Sequence, residues 1–213
     1  MSMTANTLVA KGIGWVNGSE YGSVIHPRRV AYGGTAAVPP WKQADLFQFP
    51  AKNAGRFDPA TRMIFSACAL ALLDAGVTLG DGRKINFGLL GTNASGCVEA
   101  NRTYFEDYLT GGRTLARANL FVYTLPSSPL AEVAIHFGLQ GPVLYIGFTG
   151  TPADRMSGLL ETGAGWLAEG SVEGLLAVEG DGHSATAVFL GAVDGHEGLV
   201  GMDAILNRLR NEF

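Results

Sequence analysis

The strongest constraint on the fold of this sequence is an alternation of short apolar runs with longer segments of helical pattern. Short continuous apolar runs bounded by glycine or proline are typical of buried strands, whereas helices need longer segments. The predicted strands are 7–16, 86–91, 143–148, 175–179 and 185–193. The predicted helices are 59–75, 99–109, 130–137, 156–168 and 202–210. This order predicts an α/β fold with a mostly parallel sheet that is covered by helices on both faces.

The first predicted helix has the most clearly marked ends. Asp58 can cap it, and Pro59 suits the first helical position because that position needs no N–H donor. Residues 63–73 are apolar on nearly all sides of the helix, which predicts burial on most faces. Gly76 is a typical residue for ending a helix.

Length and composition favour a single folded domain over residues 1–213. The chain is 47% hydrophobic and 16% charged, which excludes disorder as its main state. Residues 22–55 contain four prolines and little periodicity, so we expect an irregular segment there. A short amphipathic helix at 202–210 is expected to end the domain.

Charge and motif content exclude several functional classes. The net charge is −4 and no basic stripe is present, so no nucleic-acid partner is expected. Neither a signal peptide nor an apolar run of membrane-spanning length is visible, which predicts a cytoplasmic protein without a membrane partner. Cys68 and Cys97 are expected to be reduced thiols. The spacing of potential ligands and the glycine-rich loops predict no metal and no cofactor.

Several segments resemble, in the same order, the N-terminal half of a β-ketoacyl synthase of the thiolase-like superfamily. These segments are 9–16 (VAKGIGWV), 56–76 with its closing LLDAG, 88–92 (GLLGT), 131–142 (AEVAIHFGLQGP) and 159–178. Together they lie within residues 7–180. The resemblance implies one thiolase-like half, with a mixed, mostly parallel five-stranded sheet and helices on both faces.

The sequence departs from this family at the position of its nucleophile. In active synthases the acyl-accepting cysteine follows the Gly-Pro turn by eight residues, and this position is Gly150 here. Glycine has no side chain and cannot be acylated. The family's other catalytic residues lie in its second half, and His26, His136, His183 and His196 match none of them. The resemblance therefore implies a subunit without independent activity.

Inactive subunits of this kind, called chain-length factors, pair with an active ketosynthase and limit the acyl chain that it makes. The resemblance implies such a role in fatty-acid, polyketide or aryl-polyene biosynthesis, as a heterodimer with a ketosynthase or as a homodimer. The aromatic residues of 104–123 are interpreted either as core or as the wall of an acyl tunnel at the interface; they are Tyr104, Phe105, Tyr108, Phe121 and Tyr123. The strand that pairs across the family's dimer axis corresponds here to Leu144, Tyr145, Ile146 and Phe148.

Two other functions stay open at this point. The chain would be a free-standing acyltransferase or hydrolase if Cys97, at a predicted helix start, or the hydroxyl of Thr149 or Thr151 acted as a nucleophile. It would be a scaffold if a basic set of residues bound an acidic acyl carrier protein. That set is Arg28, Arg29, Arg56 and Arg62.

Overall fold

One mixed sheet forms the centre of the fold. The computed structural model describes residues 8–32, 50–52, 54–79, 82–112, 117–191 and 198–212. Within these ranges the strands are β1 (Val9–Val16), β2 (Glu20–Ser23), β3 (Arg28–Ala31), β4 (Phe87–Thr92), β5 (Val143–Tyr145), β6 (Gly174–Gly180), β7 (Ala185–Gly191) and β8 (Leu199–Val200). The helices are α1 (Pro59–Asp74), α2 (Val98–Thr110), α3 (Ala118–Phe121), α4 (Ser128–Phe137), α5 (Pro152–Ala168) and α6 (Met202–Glu212). Two 3₁₀ turns cover Ala54–Arg56 and Val122–Thr124.

The direction of the strands agrees with the sequence prediction. The strand order is β3-β2-β1-β7-β6-β4-β5, and β8 also pairs with β1. Strand β4 is parallel to β5 and β6, whereas β7 is antiparallel to its neighbours β6 and β1. Strands β1, β4, β5 and β6 therefore run in one direction and β7 runs in the other. The mixed, mostly parallel arrangement predicted for these five strands is confirmed.

The predicted number of strands is too low, because the described part of the chain contributes eight strands to the sheet. The three additional strands, β2, β3 and β8, are two to four residues long and lack a continuous apolar run. Strands β2 and β3 form an antiparallel hairpin, so the prediction of an irregular segment is wrong for residues 22–31. Residues 33–49 and 53 of that segment, and 192–193 of the last predicted strand, lie outside the described residues. The C-terminal helix α6 covers the predicted residues 202–210 and continues to Glu212.

The helices cover both faces of the sheet, as predicted. Helices α1 and α4 pack on one face, in a core cluster that includes Phe65, Leu70 and Val133. Helices α5 and α6 pack on the other face, in a cluster that includes Leu159 and Ile205. The two clusters give the layer order helix, sheet, helix.

Helix α1 packs directly against the sheet, because glycines of β1 face it. The Asp58 carboxylate caps the helix by accepting a hydrogen bond from the Thr61 N–H at 2.9 Å. A Cβ atom added at Gly14 would overlap the backbone of Ala67 and Ala71. The small residues of β1 therefore let the buried helix contact the strand directly.

A buried carboxylate at the end of α1 joins three segments of the chain. The side chain of Asp74 accepts hydrogen bonds from the backbone N–H groups of Ile13 at 2.8 Å, Ile25 at 2.9 Å and His26 at 2.7 Å. Ile13 belongs to β1, and the other two residues lie in the turn between β2 and β3. Because each bond has a charged acceptor, this side chain holds the hairpin and β1 on the helix.

We expect the substitution Asp74→Asn to lower the free energy of unfolding by about 2–4 kcal/mol, because an amide retains one acceptor oxygen and turns an NH₂ group towards N–H donors. Urea denaturation followed by circular dichroism measures this change. Glu173→Gln, at an exposed position, is the matched control and should change the value by less than about 0.5 kcal/mol. Equal effects of the two substitutions would contradict this account of Asp74.

Candidate functional site

Residue 150 lies in the turn that connects β5 to α5. Strand β5 ends at Tyr145, earlier than the predicted 148, although the Ile146 N–H still donates to the Gly91 carbonyl at 2.9 Å. Gly150 has a φ of +102°, a left-handed conformation that favours glycine. Thr151 is the N-cap of α5 and forms a capping box with Asp154. We call the segment 149–155 the elbow.

A buried ion pair fixes the elbow to the end of β6. Arg155 donates from Nη1 to the carbonyl of Gly150 at 2.6 Å and from Nε to Glu179 Oε1 at 3.1 Å. Its Nη2 atom also bonds Glu179, and both side chains are nearly buried. The guanidinium therefore connects the first turn of α5, the elbow backbone and the sheet.

Sequence reasoning missed this ion pair. The one signal for it is Glu179, a charged residue inside the apolar run of β6. A charge in a buried strand needs a partner, because the cost of burying it alone is high. The sequence does not show which residue supplies that partner, since Arg155 comes 24 residues earlier.

A cavity of about 340 Å³ lies beside the elbow. Its walls come from the first turn of α5, the ends of β6 and β7 and the C-terminal part of α6, with Met156, Glu179 and Leu209 among its lining residues. None of the five predicted tunnel residues lines this cavity.

Four of the predicted tunnel residues form one aromatic cluster on the surface. The Tyr104 ring lies 5.4 Å from Phe105, 6.4 Å from Tyr108 and 5.6 Å from Phe121, measured between ring centroids. Phe105 is 56% exposed and Phe121 is 52% exposed. Helix α2 has no buried residue and packs against α3 and the turn Val122–Thr124. We call residues 98–112 and 117–125 the arm.

Tyr123, the fifth predicted tunnel residue, lies apart from this cluster. Its ring is buried in the core on the α1 face, and its hydroxyl donates to Glu132 at 3.4 Å. Burial and the charges of Glu132 and Asp58 raise the pKa of Tyr123 to about 12. Of the two interpretations of the aromatic residues, the core one fits Tyr123, because its position two residues after Phe121 in a tight turn directs it inwards.

Strand β5 lies at the edge of the sheet and pairs with β4 in the described part of the chain. Leu144 is 46% exposed. Ile146 and Phe148 are partly buried against the core on the α5 face. Tyr145 is partly buried on the opposite face and donates its hydroxyl to Asn93 at 3.1 Å. Of the four predicted interface residues, Leu144 is therefore the most accessible.

The base of the arm adjoins this edge. Asn93, which accepts from Tyr145, donates to the Gly96 carbonyl at 3.0 Å, one residue before Cys97. Burial raises the pKa of Tyr145. Hydrogen bonds through Asn93 thus link Tyr145 to the segment that precedes α2.

Two of the three alternative nucleophiles have hydrogen-bonding roles in the structure. Cys97 is the N-cap residue of α2, and its thiol donates to the Thr124 carbonyl at 2.7 Å and accepts from Asn101 at 3.2 Å. Thr151 uses its hydroxyl in the capping box, and Thr149 is exposed. Burial raises the pKa of the Cys68 thiol.

The arginines predicted to bind a carrier protein lie in two places. Arg28 and Arg29 are on β3, where Arg29 bonds Glu20 at 2.6 Å and lies over the Trp15 ring. Arg62 is on α1 and donates to the Phe57 carbonyl at 2.9 Å. Arg56 ends the turn Ala54–Arg56. Carrier binding by this set stays a prediction.

The described ranges hold no group of three His, Cys, Asp or Glu residues that could bind a metal ion. No helix within them is long and apolar enough to span a membrane.

A family model described as "Beta-ketoacyl synthase, N-terminal domain" matches residues 29–147, which is more than half of the chain. The chain belongs to the β-ketoacyl synthase family. This match confirms the family that was recognised from the sequence. No curated protein matches the sequence of the chain.

Solved structures of ketosynthases have a similar fold. The ishigamide ketosynthase/chain length factor aligns with a TM-score of 0.62 and 13% identity, over 91% of this chain and 64% of that chain. A β-ketoacyl synthase from Burkholderia phymatum STM815 aligns with a TM-score of 0.59 and 18% identity, over 88% and 59%. The ketosynthase ApeO in complex with its chain length factor ApeC, from Xenorhabdus doucetiae, gives 0.52 and 14%, over 89% and 80%. This chain spans less than two thirds of the first two structures.

We expect Arg155→Met to lower the free energy of unfolding by about 3–5 kcal/mol, because it leaves the buried Glu179 carboxylate without its partner. The double substitution Arg155→Met with Glu179→Met should cost less than the single one, since no charge is then left buried. Urea denaturation measures the free energy of unfolding of the unsubstituted protein, the single variant and the double variant. Arg102→Met breaks an exposed pair with Glu99 and is the control, with an expected change below about 1 kcal/mol. A similar loss for Arg102→Met and Arg155→Met would contradict this reading of the elbow.

Proposed function

We propose that this chain is a non-catalytic ketosynthase-like subunit that pairs with an active β-ketoacyl synthase and limits the acyl chain length of the product. Gly150 is the observation that carries the proposal. It occupies the elbow between a strand and a helix, at the position where the family resemblance expects the acyl-accepting cysteine, and it has no side chain. The elbow keeps its fold, because the Arg155–Glu179 pair and the capping box of α5 hold it.

The exposed apolar groups of β5 and of the arm support a pairing role. An open apolar sheet edge invites association with another chain. Leu144 on β5 and Phe105, Leu109 and Phe121 on the arm are each about half exposed. The ApeO structure is a complex of a ketosynthase with a chain length factor, and its fold is similar to this chain. A ketosynthase is the partner that this likeness favours.

The aromatic cluster of the arm is the element that we assign to chain-length control. Tyr104 contacts Phe105, Tyr108 and Phe121, so the cluster acts as one packed block of side chains. If the partner's acyl chain ends against this block, its volume sets the number of carbons that fit, because packed protein interiors yield little.

Pairing is tested by co-expression with the β-ketoacyl synthases encoded in the same genome, followed by affinity purification and light scattering. We expect a stable heterodimer. Leu144→Asp should weaken pairing at least about tenfold, because it places a charge in an apolar contact. Ile135→Asp is the control, since Ile135 is 77% exposed on α4. Recovery of the chain without a synthase, or equal effects of both substitutions, would contradict the proposal.

Chain-length control is tested with the reconstituted pair. Phe121→Ala should lengthen the products by two or more carbons, because it removes an aromatic ring from the block, and Phe121→Trp should shorten them. Mass spectrometry of the acyl products measures the shift. Val122→Ala, at a neighbouring exposed position, is the control. Unchanged products in all variants would remove the length-limiting role and leave the pairing role.

A further inference from the structure

The N-terminus of α5 carries an anion from its own chain. A helix N-terminus stabilises a negative charge, and it commonly stabilises the thiolate form of a cysteine that lies beside it. Here the Asp154 carboxylate takes this place, because its Oδ2 atom accepts from the Thr151 N–H at 2.9 Å and from the Thr151 hydroxyl at 2.7 Å. These two hydrogen bonds lower the pKa of Asp154, so the group is an anion at neutral pH.

Residue 150 faces this carboxylate. A Cβ atom built on Gly150 would lie 2.8 Å from Asp154 Oδ2 and 3.0 Å from Asp154 Cβ. The φ of +102° adds backbone strain for any side chain. A thiol at this position would therefore be crowded, and its ionisation would place a second negative charge beside the first.

Arg155 and, from α6, Arg210 are the cations that act on Asp154, and their effect on its pKa is smaller than that of the Thr151 hydrogen bonds. Arg155 is bound to Glu179 and to the Gly150 carbonyl, and its side chain is nearly buried. Its charge is already balanced by Glu179.

We infer that Asp154, in addition to Gly150, prevents acyl-acceptor chemistry at the elbow, so that a cysteine introduced at residue 150 alone does not become a reactive thiolate. The inference rests on the proposed non-catalytic role and adds a second residue to its cause. A single reversion would not restore the nucleophile.

The test compares alkylation rates of introduced thiols at pH 7.5. Gly150→Cys is compared with Gly147→Cys, because Gly147 is exposed in the same loop with nothing within 4 Å of an added Cβ. Each is also made together with Asp154→Asn. Iodoacetamide is the probe, and peptide mass spectrometry separates the introduced thiol from Cys68 and Cys97.

We expect the thiol at 150 to react about three- to tenfold more slowly than the thiol at 147. Raising the pKa of a thiol by one unit lowers its thiolate fraction about tenfold. A more basic thiolate is also more nucleophilic, so the alkylation rate falls by less than the thiolate fraction does. Asp154→Asn should restore most of the difference at 150 and change the rate at 147 by less than about twofold. A fast reaction at 150 with Asp154 intact, or no effect of Asp154→Asn there, would overturn the inference.

A variant that avoids the crowding keeps the test decisive. If Gly150→Cys does not fold by circular dichroism, it is made with Asp154→Gly, which removes the colliding side chain. The thiol should then react at least as fast as the one at 147, and a slow reaction would overturn the inference. Co-purification with the synthase is measured separately on the unmodified chain, so failure of the pairing proposal leaves the alkylation result independent.

Discussion

The buried carboxylate of Asp74 is the interaction on which the arrangement of this domain depends most. At the end of the most deeply buried helix, it accepts hydrogen bonds from four backbone N–H groups, one on β1 and three in the turn of the β2–β3 hairpin. Charged acceptors form the stronger hydrogen bonds, and a buried one that loses its donors is costly. These hydrogen bonds therefore fix the position of α1 relative to β1. The other strands of the sheet extend from β1 and β7.

The sheet connects this buried carboxylate to the elbow. Strand β6 pairs with β7 and β4, and its Glu179 receives Arg155 from the other helical layer. The ion pair thus gives the turn around Gly150 a fixed position that does not require a catalytic side chain.

The sequence was informative where the determinants are local. The ends of α1 follow from Asp58, Pro59 and Gly76, and each strand with a continuous apolar run was found. The β2–β3 hairpin was missed, because its strands are short and carry Arg28 and Arg29 in place of an apolar pattern.

The candidate site was less accessible to prediction, because its contacts join distant parts of the chain. The family resemblance directed attention to Gly150, and the structure places this residue in the elbow. Phe121 and Tyr123 are both aromatic and two residues apart, yet one is exposed and the other is core. Tyr123 lies within the 3₁₀ turn Val122–Thr124, which directs its side chain into the core. Asp154 and Arg155 carry no motif signal, since their importance arises from neighbours in space.

The exposed edge at Leu144 has a consequence for the life of the protein in a cell. Under the proposed pairing, a copy without its partner presents an open apolar strand and an arm whose long helix has no buried residue. Proteins that expose such surfaces are the first to be degraded by quality-control proteases or to aggregate. The amount of this subunit would then follow the supply of its partner, and excess copies would be cleared without any dedicated regulator.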